Sequence, residues 1–201
     1  MNKLRKTFLT LFIALIALAA LVYRFGESWA HRLLLYLSHA QWARNLVMQL
    51  PIAWSIAGRF IAGERIEDAM NTARQLNAKG MHVTLDYLGE NVSSREDAID
   101  ARNHILELLE TVHETGVDAT VSIKLSQLGM HLDPALMSEN ARQILTSARK
   151  YNNRIRLDME ESSTVDTTLN LYQTLRHQLG FENVGVVIQA YLFRSKQDVQ
   201  Q

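Results

Sequence analysis

The sequence contains no cysteine, which removes disulfides, thiolate nucleophiles and cysteine metal sites and leaves the redox compartment open. Two prolines and nine glycines in 201 residues leave little room for long loops or low-complexity linkers. A charge excess is missing as well. The 21 basic residues balance 21 acidic ones, which argues against a nucleic-acid partner. Seven histidines, at 31, 39, 82, 104, 113, 131 and 177, never fall into a His-x-x-x-His or His-Glu-x-x-His spacing, so no metal site is expected. Neither a Gly-x-Ser-x-Gly elbow nor a glycine-rich phosphate loop appears. What is present is a 47% hydrophobic content, sufficient for one ordinary domain with a sizeable core.

The chain opens with a long apolar run. Residues 7–23, TFLTLFIALIALAALVY, carry no charge and follow Lys3, Arg5 and Lys6. A helix of that length spans about 25 Å, a little short of a ~30 Å hydrocarbon core. Snorkelling by Lys6 and Arg24 covers the shortfall. A membrane anchor is the leading reading. A signal peptide cleaved near Ala17-Leu18-Ala19 and a buried N-terminal helix are its competitors. Basic residues on both flanks leave the orientation undecided. The expected division is therefore a leader over 1–25 and a folded region over 26–201.

Beyond the leader, residues 28–62 read as basic-amphipathic helix interrupted near Pro51. The punctuation then becomes regular. A helix with Ala69, Ala73 and Leu76 on one face stops at Gly80, and MHVTLDYLGE follows as a strand. Ser93-x-x-Glu96 has the capping-box pattern and opens a helix that Gly116 stops. The second strand is ATVSIKLSQL. Asp133-Pro134 starts the next helix, which runs to about Lys150, and RIRLDME is the third strand. SSTVDTTLNLYQTLRHQLG is a helix ending at Gly180, and VGVVIQAYL is the fourth strand. Strands separated by helices of this length pair in parallel.

Each strand is interrupted by polar residues towards its carboxyl end: Asp86, Lys124, Asp158 with Glu160, and Gln189. The spacings of 38, 34 and 31 residues place one such group in every strand–helix unit. Period-two alternation puts Thr84 and Asp86 on one face, likewise Ser122 and Lys124, Arg156, Asp158 and Glu160, and Val187 and Gln189. Taken singly, each is an ordinary ion-paired or strand-end residue. Four strands in succession burying them point to a binding site, because such groups are costly inside unless they pair or face a ligand. A barrel gathers inward polar residues at its carboxyl mouth. A doubly wound sheet also binds ligands there, but LGENVSS is not the glycine-rich turn it usually carries. The expected fold is α/β, a partial (βα)8 TIM-type barrel of about four parallel units preceded by helices. A fixed ammonium suits a substrate carboxylate. An amide suits the edge of a flat heteroaromatic cofactor.

Five segments, FIAGE (60–64), VTLDYLGENV (83–92), VSIKLSQLG (121–129), IRLDMEES (155–162) and NVGVVIQAYLFRS (183–195), resemble the proline dehydrogenase family in order and spacing. The resemblance covers about residues 31–201. It implies a flavin-dependent barrel that oxidises L-proline to pyrroline-5-carboxylate, with FAD as hydride acceptor and a membrane quinone as electron acceptor. It further implies that Lys124 contacts the proline carboxylate and that Asp158 is an active-site residue. Met159 would line the flavin and Gln189 would hold its edge. Asp86, Glu90 and Glu160 would be supporting carboxylates paired with family arginines. The expectation is a membrane-associated protein with its catalytic domain in the cytoplasm, an orientation that the basic flanks of the leader leave undecided.

Family members continue for roughly another hundred residues past the VIQAY strand, with further flavin contacts and an arginine pair for the proline carboxylate. The chain is accordingly expected to be the front half of a longer enzyme, and to bind FAD weakly or not at all by itself. An inactive, membrane-tethered half-barrel remnant with a binding role or none is the alternative to a working oxidoreductase.

Overall fold

The computed structural model describes residues 31–32, 36–37, 40, 61–63, 65–89 and 92–200. The chain divides into two compact units, residues 1–61 and 62–201. In the first, residues 31–32 and 36–37 are helical. The apolar run over 7–23, the boundary at residue 25 and most of the expected 28–62 helices lie outside the described residues. Among the described residues, no helix is long and apolar enough to cross a membrane.

The second unit alternates helix and strand: α1 (Ile66–Asn77), β1 (Val83–Asp86), α2 (Arg95–Thr115), β2 (Ala119–Ile123), α3 (Pro134–Lys150), β3 (Ile155–Leu157), α4 (Val165–Gln173), β4 (Val184–Val186) and a short α5 (Ser195–Asp198). All neighbouring strands pair in parallel, in the order β1-β2-β3-β4. Sequential order is what consecutive units of a (βα)8 barrel produce. A doubly wound sheet would reverse its order at a switch point. The expected fold class holds.

Local chemistry sets the helix ends. Asp133 caps α3 as expected, its Oδ1 accepting from the Ala135 amide at 2.9 Å with Pro134 at the first helical position. Gly116 closes α2 at φ 64°, a left-handed conformation that glycine adopts without a Cβ clash. The capping box of α2 lies one residue later than expected. Ser94 is the cap, its Oγ accepting from the Asp97 amide at 3.1 Å while Asp97 Oδ2 accepts from the Ser94 amide at 2.9 Å. Asp97 suffices in place of a glutamate because Ser93 also donates to the same oxygen from its amide and its hydroxyl. These bonds, the Ser93 amide foremost, hold the Asp97 carboxyl below its ordinary pKa.

Alternation along the strands decides what is inside. Val121, Ile123, Ile155 and Leu157 are buried against Ile105, Leu109, Ile144 and Leu145 of the covering helices. Burying a side chain of this size contributes about 1.5–3 kcal/mol, so this helix-facing layer is the principal source of stability. Thr84, Asp86 and Arg156 point to the other, more exposed face. A smaller apolar cluster of Met159, Val165 and Leu169, flanked by Val187, Ile188 and Leu192, sits beyond the carboxyl ends of β3 and β4.

The strands are shorter than expected, and this affects the site. The ladders end at Asp86, Ile123, Leu157 and Val186, so Lys124, Asp158, Glu160 and Gln189 stand just past the strands rather than within them. Pairing persists for one more step through the Asp158 amide to the Ile123 carbonyl and the Val187 amide to the Leu157 carbonyl, both 2.9 Å. Residues that leave the ladder can aim at one another across the strand ends.

Candidate active site

Lys124 is the first residue after β2. Its Nζ lies 2.6 Å from Asp86 Oδ2 at the end of β1, with 17% and 29% of the two side chains exposed. At that burial the pair is more than a surface ion pair, and it orients the ammonium. On the other side of β2, the buried Ser122 hydroxyl donates to Asp158 Oδ1. Ser126, two residues beyond Lys124, donates twice to Glu160: its amide reaches Oε1 at 3.0 Å and its hydroxyl reaches Oε2.

Gln189 folds back towards β3. Its Nε2 donates to the carbonyls of Met159 at 3.1 Å and Glu160 at 3.4 Å. Both neighbours are acceptors, so the amide nitrogen must face them. Gln189 Oε1 is then buried with no partner. Past Gln189 the chain is tied down by Ser195, whose hydroxyl bonds the carbonyls of Gln189 and Leu192. Arg194 adds a clamp, with Nη2 2.6 Å from Asp166 Oδ1 and Nε 2.9 Å from Asp198 Oδ2. The hydrogen bonds from Asp166 and Asp198 raise the Arg194 pKa above its ordinary value, and the Asp166 carboxyl is lowered in turn.

Of the residues singled out from the sequence, Lys124, Asp86, Asp158, Met159, Glu160 and Gln189 gather at the carboxyl ends of four adjacent strands. Glu90 lies outside the described residues. Glu160 takes its bonds from Ser126, and among the described residues no arginine reaches it. Sequence reasoning passed over Ser122 and Ser126 as site residues, although both share the face of Lys124 at period-two spacing. It also passed over Gln127, fully buried, which donates to the Tyr87 carbonyl at 2.6 Å and ties the turn after β2 to the one after β1. Two cavities lie elsewhere among the described residues: about 600 Å³ between α2 and α3, and about 360 Å³ near the amino ends of the strands by Thr120 and Arg156. The candidate site is an open strand-end face. Among the described residues no group of side chains could hold a metal ion.

The family model described as proline dehydrogenase matches residues 69–201. The proline dehydrogenase of Deinococcus radiodurans is 40% identical over 148 residues, covering 72% of this chain and 48% of that protein. Proline dehydrogenase 1 of Bacillus subtilis strain 168 is 35% identical over 144 residues, covering 72% and 47%. The chain thus spans about half the length of these curated relatives. Among solved structures, proline utilization A (PutA) from Bdellovibrio bacteriovorus, inactivated by N-propargylglycine, superposes with a TM-score of 0.69 at 24% identity, over 74% of this chain and 18% of that one. At that identity the likeness speaks for the fold alone. With a family model spanning most of the chain and relatives at this identity, the chain belongs to the proline dehydrogenase family.

Proposed function

We propose that the chain serves the FAD-dependent oxidation of L-proline to pyrroline-5-carboxylate, with electrons passed on to a quinone. The observation that carries this reading is the convergence of Lys124, Asp158, Met159 and Gln189 at neighbouring strand ends. They supply a cation, a carboxylate and an amide, the amide seated on the Met159 carbonyl above a buried apolar cluster.

The residues fit a flavin ring. Gln189 Oε1 is a buried acceptor that lacks a donor, an arrangement that costs about 1–3 kcal/mol if left unmet. A planar ring edge bearing an N–H meets that need. Half-buried Val187 and Ile188, backed by the buried Met159, Val165 and Leu169, offer an apolar surface beside it. When bound, FAD supplies the acceptor for the hydride leaving the proline ring carbon next to nitrogen. Lys124, oriented by Asp86, pairs with the substrate carboxylate through a charge-assisted bond. Asp158 offers a carboxylate to the ring nitrogen, which must lose its protons as the C=N bond forms. An anchor formed by residues 7–23 would keep the site near a lipid-soluble quinone.

The test is the visible spectrum of the purified full chain, incubated with excess FAD and freed of unbound flavin. A retained flavin band that bleaches on adding L-proline supports the reading. A colourless protein overturns it for this chain and favours a remnant that keeps the site residues without cofactor.

A further inference from the structure

The side chains of Ser122, Lys124 and Ser126 lie on one face of β2 and the turn after it. Each reaches a carboxylate at the end of a neighbouring strand or just past it: Ser122 to Asp158, Lys124 to Asp86, Ser126 to Glu160. The two serine contacts are chemically unequal. Ser126 occupies both oxygens of Glu160, one through its amide and one through its hydroxyl. Ser122 occupies only Oδ1 of Asp158, and Oδ2 has no hydrogen-bond partner among the described residues. A carboxylate turns easily about its last torsion, where the wells are broad. A single buried donor on Oδ1 therefore decides where Oδ2 points.

We propose that Ser122 is a positioning residue for Asp158: it holds Oδ1 so that Oδ2 is presented at the strand-end face to the ring ammonium of a cyclic amino-acid substrate. Glu160, held through both of its oxygens by Ser126, instead fastens the turn after Lys124. This division of labour rests on the proline-oxidation reading given above. It assigns the two carboxylates just past β3 different tasks, which their Asp-x-Glu spacing alone would not separate.

The experiment uses the full chain loaded with FAD, with carbon-13 in the aspartate and glutamate carboxyl groups. Ser122→Ala is expected to move the Asp158 carboxyl signal and leave the Glu160 signal in place. It is also expected to weaken L-proline binding about tenfold, as loss of a hydrogen bond that organises a charged group would, while FAD affinity stays within twofold. Ser122→Thr, which keeps the hydroxyl, restores the signal and the affinity. Ser126→Ala moves the Glu160 signal instead. An unmoved Asp158 signal in Ser122→Ala overturns the proposal. So does a moved signal with unchanged proline affinity, which would make the bond structural only. If the wild type itself fails to respond to L-proline, the oxidation reading falls and the substrate role of Ser122 falls with it. That result is distinct from a responsive wild type matched by Ser122→Ala, which sinks the positioning role alone.

Discussion

Gln189 has an amide whose nitrogen is satisfied twice and whose oxygen is buried unmet. Replacing it by leucine removes two hydrogen bonds but also relieves the unmet acceptor, and these effects oppose each other. Gln189→Leu should therefore change the stability of the cofactor-free chain by no more than about 1 kcal/mol, read as a urea midpoint. Retention of FAD should fall about tenfold in the same variant, because the ring-edge contact is gone. Equal losses in both measurements would show that Gln189 only props up β3. Lys124→Met removes the 2.6 Å pair with Asp86. The flavin band should then survive while L-proline no longer bleaches it at concentrations that saturate the wild type. A normal response would mean that the substrate carboxylate is held elsewhere.

At the scale of elements, the helix ends are where sequence and structure can be weighed against each other. Ser94→Ala removes the cap of α2 and should cost about 1 kcal/mol in chemical unfolding, whereas Ser93→Ala, one residue outside the cap, should cost less. Were Ser93→Ala the costlier, the cap would belong at the position first expected. Within α3, hydrogen bonds from Arg142 draw the Glu139 carboxyl down to about 2 from 4.5. A carboxyl depressed on folding adds stability above its unfolded pKa and loses it as pH falls through the folded one. Wild type should therefore lose its advantage over Glu139→Gln between about pH 4.5 and 2, by a small amount since both side chains are nearly half exposed. A constant gap across that range would refute the linkage. The Asp133-Pro134 start and the Gly116 stop were legible because they depend on one or two adjacent residues. The box at Ser94 was misplaced by one because adjacent serines offer the same hydroxyl, and only the backbone decides which of them is the cap. The strand-end residues Lys124, Asp158 and Gln189 were legible from period-two alternation. The hydroxyls of Ser122 and Ser126 were not singled out, since serine on a strand face carries no signal until a partner across the sheet is known. Ladder lengths were overestimated for a similar reason. Apolar residues such as Val187 and Ile188 continue past β4 into the small Met159 cluster, and hydrophobicity does not record where pairing stops.

For the whole molecule, the sheet has two end strands, and among the described residues β4 pairs only with β3. The Ile155 amide donates to the Asn183 carbonyl and the Val187 amide to the Leu157 carbonyl, both at 2.9 Å. Alternation then directs the Val184 and Val186 backbone groups away from β3. An apolar strand end with outward N–H and C=O groups is a template for another strand. The chain should therefore self-associate with rising concentration in sedimentation velocity. Val186→Pro should weaken that association, because it removes an outward donor and leaves the ladder to β3 intact. Val186 is half-buried, so its loss also disturbs packing. Val186→Ala separates the two effects, since it trims the side chain but keeps the amide, and it should associate like the wild type. Equal weakening in both variants would place the contact on side-chain packing. No concentration dependence in the wild type would mean that β4 is already covered. Either result bears on the site, because Gln189 follows this strand by three residues and is aimed by its pairing with β3.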